Sequence, residues 1–311
     1  ELYGDNDEAH AAELAHHFIQ AEAVLGPGKL VKYSSLAGER ALANYAYEDA
    51  VDYFQRGLTA KGVSLTDTET APDAEAASLL FDLGQAMAGT MERGGDLHVI
   101  GTLSRAFNYY FEAGEAEKAV EIAAFGQGNL GGELIAKALE LVPPDSYEAG
   151  KLLSRYIQPL RPDYDRAQDA VQRALVIARR EDDADLEMQT LVSAACVSFT
   201  HHRWEESLDR NRQAIELAKS VNQPVAEAHA RYDLMHVSYA LGDLTAASKH
   251  AEAMFEPSKR SGHRRWQASA IEINENVSSA KGDWKAAREL GERGLSVSPR
   301  DTNLLGSRAL L

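Results

Sequence analysis

Four small residues, Ala167, Ser207, Ala247 and Ala287, stand 40 residues apart each time, and this register constrains the fold more than any other feature of the chain. Three further columns keep step with it. Tyr164, Trp204, Leu244 and Trp284 lie three residues earlier, with Trp204 and Trp284 expected to pack against the preceding helix, Ala174, Ala214, Met254 and Gly294 seven later, and Leu175, Ile215, Phe255 and Leu295 eight later. On a helix this spacing forms a stripe that lets a neighbouring helix approach closely, with a bulky knob beside it. An earlier helix precedes each stripe, and the periodicity predicts these first helices over 185–201, 226–241 and 267–281. Two of them end in Gly242-Asp243 and Gly282-Asp283. There glycine takes the left-handed cap conformation and aspartate caps the next helix. Alternating β-branched runs and hairpin turns, the marks of strands, are absent from the sequence. Helix-turn-helix units at a fixed period cannot bury their apolar faces alone, so they stack. The expected fold class is all-α, an α-solenoid of antiparallel helix pairs forming a right-handed superhelix, with about 40 residues per unit and roughly seven pairs.

The register is looser in the N-terminal half, where Tyr47, Ala50, Phe54, Gly57 and Leu58 repeat the columns. Leu83-Gly84 reads as the close-approach point of a first helix, and Gly114 with Ala119 as a further turn and second helix. Gly, Pro, Asp and Thr cluster in two irregular insertions, Thr59 to Asp73 and Gly126 to Ser146. The second, with Pro143-Pro144, marks the expected boundary between an irregular part, 1–146, and a regular part, 147–311, continuous with it.

Composition narrows the function. With 32 Lys and Arg against 48 Asp and Glu, the formal net charge is −16, which disfavours nucleic acid and anionic membrane surfaces as direct partners. The single cysteine, Cys196, excludes an intrachain disulfide and a Cys-based zinc cage, so a reducing cytoplasm is expected and the thiol reads as a small core residue. The longest uncharged stretch near the middle, Met188 to His202, is too short and too polar to span a bilayer. The acidic opening, Glu1 to Glu8, is unlike a signal peptide.

The Gly-Asp turn followed by an aromatic residue and, three later, a small one resembles tetratricopeptide repeats, although the 40-residue period exceeds their usual 34 and overlaps the HEAT and armadillo range. A narrower resemblance covers most of the chain. Glu13 to Phe18, Tyr33, Ala43 to Ala50, Val142 to Gly150, Leu152 to Tyr156, Trp204 to Ser207, and Gly282 to Arg288 through Arg293-Gly294-Leu295 are similar to the helical-repeat sensor region of bacterial STAND-type signalling ATPases. In those proteins the region follows an ATPase module and is joined to a LuxR-type DNA-binding domain or a nucleotide cyclase domain. The resemblance implies a sensor or interaction arm and transfers no catalytic residue.

Motifs for chemistry are weak. The segment Ala23 to Leu30 resembles a phosphate-binding loop in outline, but Ala23 replaces its first glycine and Leu30 its Mg²⁺-ligating Ser or Thr, so it reads as an interhelical turn. His10, Glu13 and His17 share one helical face without a His-Glu-x-x-His pattern. His201-His202 and His263-Arg264-Arg265-Trp266 read as solvated helix ends, the latter with an aromatic suited to stacking on a base. Asp182, Asp183 and Asp185 read as a turn and helix N-terminus. No metal and no cofactor is expected.

What remains is a surface. First helices of a solenoid line its concave groove, which places there Gln189, Val192, Cys196 and Phe199, then His229, Tyr232, His236 and Tyr239, then Ser269, Glu272, Asn276 and Ser279. The alternative is that Val192, Cys196 and Phe199 are core. The candidate ligand residues are Phe199, His229, Tyr232, His236, Tyr239, Glu272 and Asn276. Val192, Tyr232 and Glu272 stand where a carboxylate clamp presents Lys and Asn, which argues against a chaperone-type clamp. The expected partners are a protein, a peptide or a small signalling ligand, and the parent's ATPase and effector domains. The other readings are a free-standing peptide-binding adaptor and an all-α hydrolase or transferase. Leu304, Leu305, Ala309 and Leu310 begin an apolar stripe near Leu311, so the chain reads as cut from a longer protein, with a sticky end prone to self-association.

Overall fold

The computed structural model describes residues 10–44, 46–90, 96–125, 131–260 and 264–299. Among them are fifteen α-helices and no strand, so the fold is all-α, built of antiparallel helix pairs of the tetratricopeptide-like kind. The chain divides into two compact units, Glu1–Leu141 and Val142–Leu311.

In the second unit, α8 (Tyr147–Tyr156) and α9 (Tyr164–Arg180) are followed by α10 (Ala184–Thr200), α11 (Trp204–Ser220), α12 (Pro224–Ala240), α13 (Leu244–Arg260), α14 (Arg264–Ala280) and α15 (Trp284–Val297). From α9 to α14 every helix has 17 residues. The 40-residue period therefore resolves into two halves of 20. Its origin is one turn used repeatedly. Asp182, His202, Asn222, Gly242 and Gly282, 20 or 40 residues apart, all have φ between +54° and +79°. The next residue returns its N–H to the carbonyl five positions back, as in Asp183 to Ala178 (2.9 Å), Arg203 to Ser198 (2.8 Å) and Asp243 to Ser238 (2.9 Å). This is a Schellman closure, which satisfies carbonyls that the helix end leaves orphaned. Asp183, Asp243 and Asp283 then accept the N–H of Leu186, Ala246 and Ala286, so one residue ends the closure and caps the next helix.

The small columns do what their spacing demands. Ala167, Ser207, Ala247 and Ala287 are fully buried, as are Ala174, Ala214 and Met254. Ser207 even reaches the backbone of the preceding helix, donating to the Ala195 carbonyl (3.0 Å). The aromatic column is less uniform. Trp204 packs against Phe199 of α10 (ring centroids 5.5 Å) and His202 (5.0 Å), but Trp284 is 62% exposed, contrary to the packing that its column suggests. At its turn Ser279 and Gly282 stand where Phe199 and His202 stand in the earlier repeat, so no ring is there to cover it.

The first unit holds α1 (Ala11–Leu25), α2 (Gly28–Ala43), α3 (Tyr47–Ala60), α4 (Ala74–Thr90), α5 (Asp96–Glu112), α6 (Ala116–Phe125) and α7 (Gly132–Leu139). Gly84 is the close approach that the sequence indicates, because a Cβ there would lie 2.5 Å from a Leu103 methyl. The segment resembling a phosphate-binding loop is the α1–α2 turn, with Gly26 at φ +74°. The insertion before α4 is strapped down by the buried Arg105, whose Nε and Nη1 donate to the carbonyls of Glu69 (2.7 Å) and Ser64 (2.8 Å). The second insertion is not wholly irregular, since it carries α7; its residues 126–130, like His263 and the stripe from Leu304 to Leu310, lie outside the described residues.

Candidate functional site

The first helices of the second unit, α10, α12 and α14, carry the predicted ligand residues. Four of the seven belong to one chain of ring contacts. Phe199 meets the His236 ring at 6.3 Å, His236 meets Tyr232 edge-on at 4.3 Å, Tyr232 meets Trp266 at 5.3 Å, and Trp266 stacks on His229 at 5.0 Å. All but Trp266 are half-buried. Tyr239, one and a half turns beyond Asp233, is 38% exposed. Asn276 is half-buried and Glu272 buried. Val192 belongs to the core, in a cluster with Leu191, Ile215 and Leu234, so for this residue the core reading holds. Gln189 turns back to its own helix, donating to Asp185 (2.6 Å).

Trp266 corrects one expectation. It is buried between His229 and Tyr232 and packs with Ala228, Met254 and Ala270, which leaves no face for a base. His201 and His202 are likewise engaged rather than merely solvated. His201 Nε2 donates to the Arg161 carbonyl (2.8 Å) beneath the Tyr164 ring, and His202 lies against Trp204.

Asp233 is the residue that sequence reasoning missed. It lies on α12 between Tyr232 and Leu234 and is 8% exposed. Its Oδ2 is buried without a hydrogen-bond partner among the described residues. Burial pushes its carboxyl up to about 7, against the opposing pull of Arg161, as expected when a carboxylate leaves water. Arg161 Nη1 instead donates to Cys196 Sγ (3.7 Å). The half-buried Cys196 thiol is pushed up by burial first and by Asp233 second, which keeps it protonated and a poor nucleophile. The signal in the sequence was an acidic residue among the apolar residues of α12, but the same register position holds Ser193 and Ile273 in neighbouring repeats.

Elsewhere, His10 pairs with Glu13 (3.2 Å), and the described residues contain no group of three or more His, Cys, Asp or Glu arranged to hold a metal. No described helix is long and apolar enough to cross a membrane. Asp182, Asp183 and Asp185 form the turn and helix start expected of them, with Tyr147 donating to Asp183 Oδ2 (2.6 Å).

No family model matches the chain, and no curated protein matches it. Its likeness is to solved structures. One is a Rap protein complexed with competence and sporulation factor, at TM-score 0.56 and 15% identity over 90% of this chain and 80% of that one. Another is a signal transduction ATPase with numerous domains that carries a tetratricopeptide repeat sensor, from Pyrococcus horikoshii. It matches at TM-score 0.51 and 13% identity over 99% of this chain, which spans about half (49%) of its length. At such identities the likeness is one of fold: this chain folds as tetratricopeptide-like helical repeats do.

Proposed function

We propose that the chain is a non-catalytic sensor or interaction region that binds a peptide or a peptide-like segment of a protein along α10, α12 and α14. In this reading it works in the cytoplasm, within a multidomain signalling ATPase, and passes occupancy to an effector of the DNA-binding or cyclase type. The observation that carries the reading is the run of aromatic and His side chains across consecutive first helices, half-buried in Phe199, His236, Tyr232 and His229 and closed on α14 by the buried Trp266. Such side chains bring large contact area at low entropic cost and dominate binding energy at interfaces. Adjacent helices pack about 8–10 Å apart, so α10 to α14 spans roughly 16–20 Å, the reach of about five or six extended residues. The fold likeness to a structure holding a tetratricopeptide sensor, and to a Rap protein bound to competence and sporulation factor, supports the same reading.

Tyr239→Ala and Asn276→Ala test it, because neither residue belongs to the ring chain. Hexapeptides selected on the immobilised wild-type chain are expected to bind both variants at least about tenfold more weakly, a change of about 1.4 kcal/mol, with melting unchanged. Undiminished affinity moves the site off this face, to the first unit. The ATPase setting is tested by the neighbouring coding sequence: an upstream phosphate-binding loop supports it, whereas a start codon directly before Glu1 supports a free-standing adaptor.

A further inference from the structure

Asp233 is out of keeping with its surroundings. A carboxylate removed from water without a partner costs several kcal/mol in general, yet here it is retained in a helix otherwise packed by Ala230, Leu234, Met235 and Val237. The register shows which way it faces. Ala226, His229, His236 and Ala240, at i−7, i−4, i+3 and i+7, are half-buried or exposed, whereas Ala230 and Val237, at i−3 and i+4, are fully buried, so Asp233 stands at the edge where the open face of α12 meets its packed face. It stands on the side of that face toward α10, where it acts on Cys196. The Arg161 guanidinium, which draws on it electrostatically, is hydrogen-bonded to Cys196 Sγ. On the same helix, one residue before Asp233 and three after, Tyr232 and His236 meet edge-on, with Phe199 of α10 against His236. Two turns into α14, Glu272 adds a second buried acid.

We propose that Asp233 is the anchor for a positively charged side chain, Arg or Lys, of a peptide lying along α10, α12 and α14. The proposal rests on the reading of that face as a peptide groove. A guanidinium or ammonium gives the orphaned oxygen the charge-assisted hydrogen bond that it lacks, and the neighbouring rings offer π faces that favour a cation. A formal charge of −16 on the chain adds long-range attraction for the same class of ligand. A free polyamine has the same chemistry, but the length of the aromatic row favours a peptide.

The test is a positional-scanning hexapeptide library, selected on the immobilised full chain and on Asp233→Asn. The wild type is expected to enrich Arg or Lys at one position. Asp233→Asn is expected to lose that enrichment by about tenfold or more, while selection at the other positions persists. Asp233→Glu, which keeps the charge, should retain the basic preference and so separates loss of charge from loss of fold. An absent basic preference in the wild type, or one that survives in Asp233→Asn, overturns the proposal and leaves the groove standing. A lack of selection at every position overturns the groove as well. Spermidine competing with the selected peptide on the wild type but not on Asp233→Asn supports the cation site. Spermidine binding tighter than every hexapeptide refutes the peptide as its occupant.

Discussion

Gly150 offers a test of the close packing on which the repeat depends. It sits inside α8, and a Cβ built there would lie 2.6 Å from Ile177 Cγ2, 3.1 Å from Ile177 Cβ and 3.4 Å from Leu186 Cδ2. Carbon atoms prefer about 3.5–4.0 Å, so the added methyl overlaps its neighbour by roughly 1 Å. Ile177 is buried and, being β-branched, stiff at χ1, so it has little room to yield. Overpacking of this kind costs about 1–3 kcal/mol. Against it stands the gain of about 0.5–1 kcal/mol when alanine replaces a helical glycine. Gly150→Ala is therefore expected to lose about 1–2 kcal/mol net. Ile177→Ala alone should cost about 2–5 kcal/mol. The double variant should cost less than the two together by at least about 1 kcal/mol, because the new methyl fills part of the cavity. Urea unfolding followed by tryptophan emission suits the measurement, since Trp204, Trp266 and Trp284 are the chain's three tryptophans and all lie in the second unit. A neutral or stabilised Gly150→Ala, or additivity within about 0.5 kcal/mol, refutes the reasoning.

Three further predictions follow from single contacts. Asp182 holds the left-handed turn position that glycine fills at 242 and 282, so Asp182→Gly should raise stability by about 1 kcal/mol and Gly242→Ala lower it by about as much; urea midpoints moving the opposite way would contradict the turn assignment. Arg105→Met should cost about 2–3 kcal/mol and speed proteolysis within residues 61–73, because the carbonyls of Ser64 and Glu69 lose their donor; an unchanged cleavage rate counts against the strap. Asp233, pushed up to about 7 by burial, keeps in the folded chain a proton that the unfolded chain releases near pH 4, so stability falls as pH rises from about 4 to about 7. Asp233→Asn lacks that dependence and should gain on the wild type by an amount on the order of 2–4 kcal/mol between pH 5 and pH 8. Asp82, also pushed up to about 7 by burial and by Glu39, is common to both proteins and drops out of the comparison; parallel stability-versus-pH curves would contradict the burial argument.

The stacked helix pairs were legible in the sequence because their constraint is local and repeated. Ala167, Ser207, Ala247 and Ala287 are all fully buried, and Gly242 and Gly282 hold turn positions that favour glycine. The 20-residue half-period was obscured because Asp182, His202 and Asn222 fill the same left-handed position without being glycine. Trp284 departs from its column because the column fixes where the residue lies, whereas its burial depends on rings at positions 279 and 282 that this repeat lacks. Within the site, the aromatic row followed from helical spacing, since Tyr232, His236 and Tyr239 share a face. Asp233 did not, because its burial arises between helices α10 and α12 and no column of the repeat records it. Trp266 went unrecognised for a similar reason, since its partners His229 and Tyr232 lie a whole repeat earlier.

The most direct measurement of the central claim is aromatic NMR of the full chain titrated with a selected hexapeptide. Binding along the first helices predicts shifts of the rings of Phe199, Tyr232, His236 and Tyr239, with the rings of Tyr109 and Tyr110 on α5 unmoved. Shifts confined to α5, with the four groove rings unchanged at saturation, would contradict it.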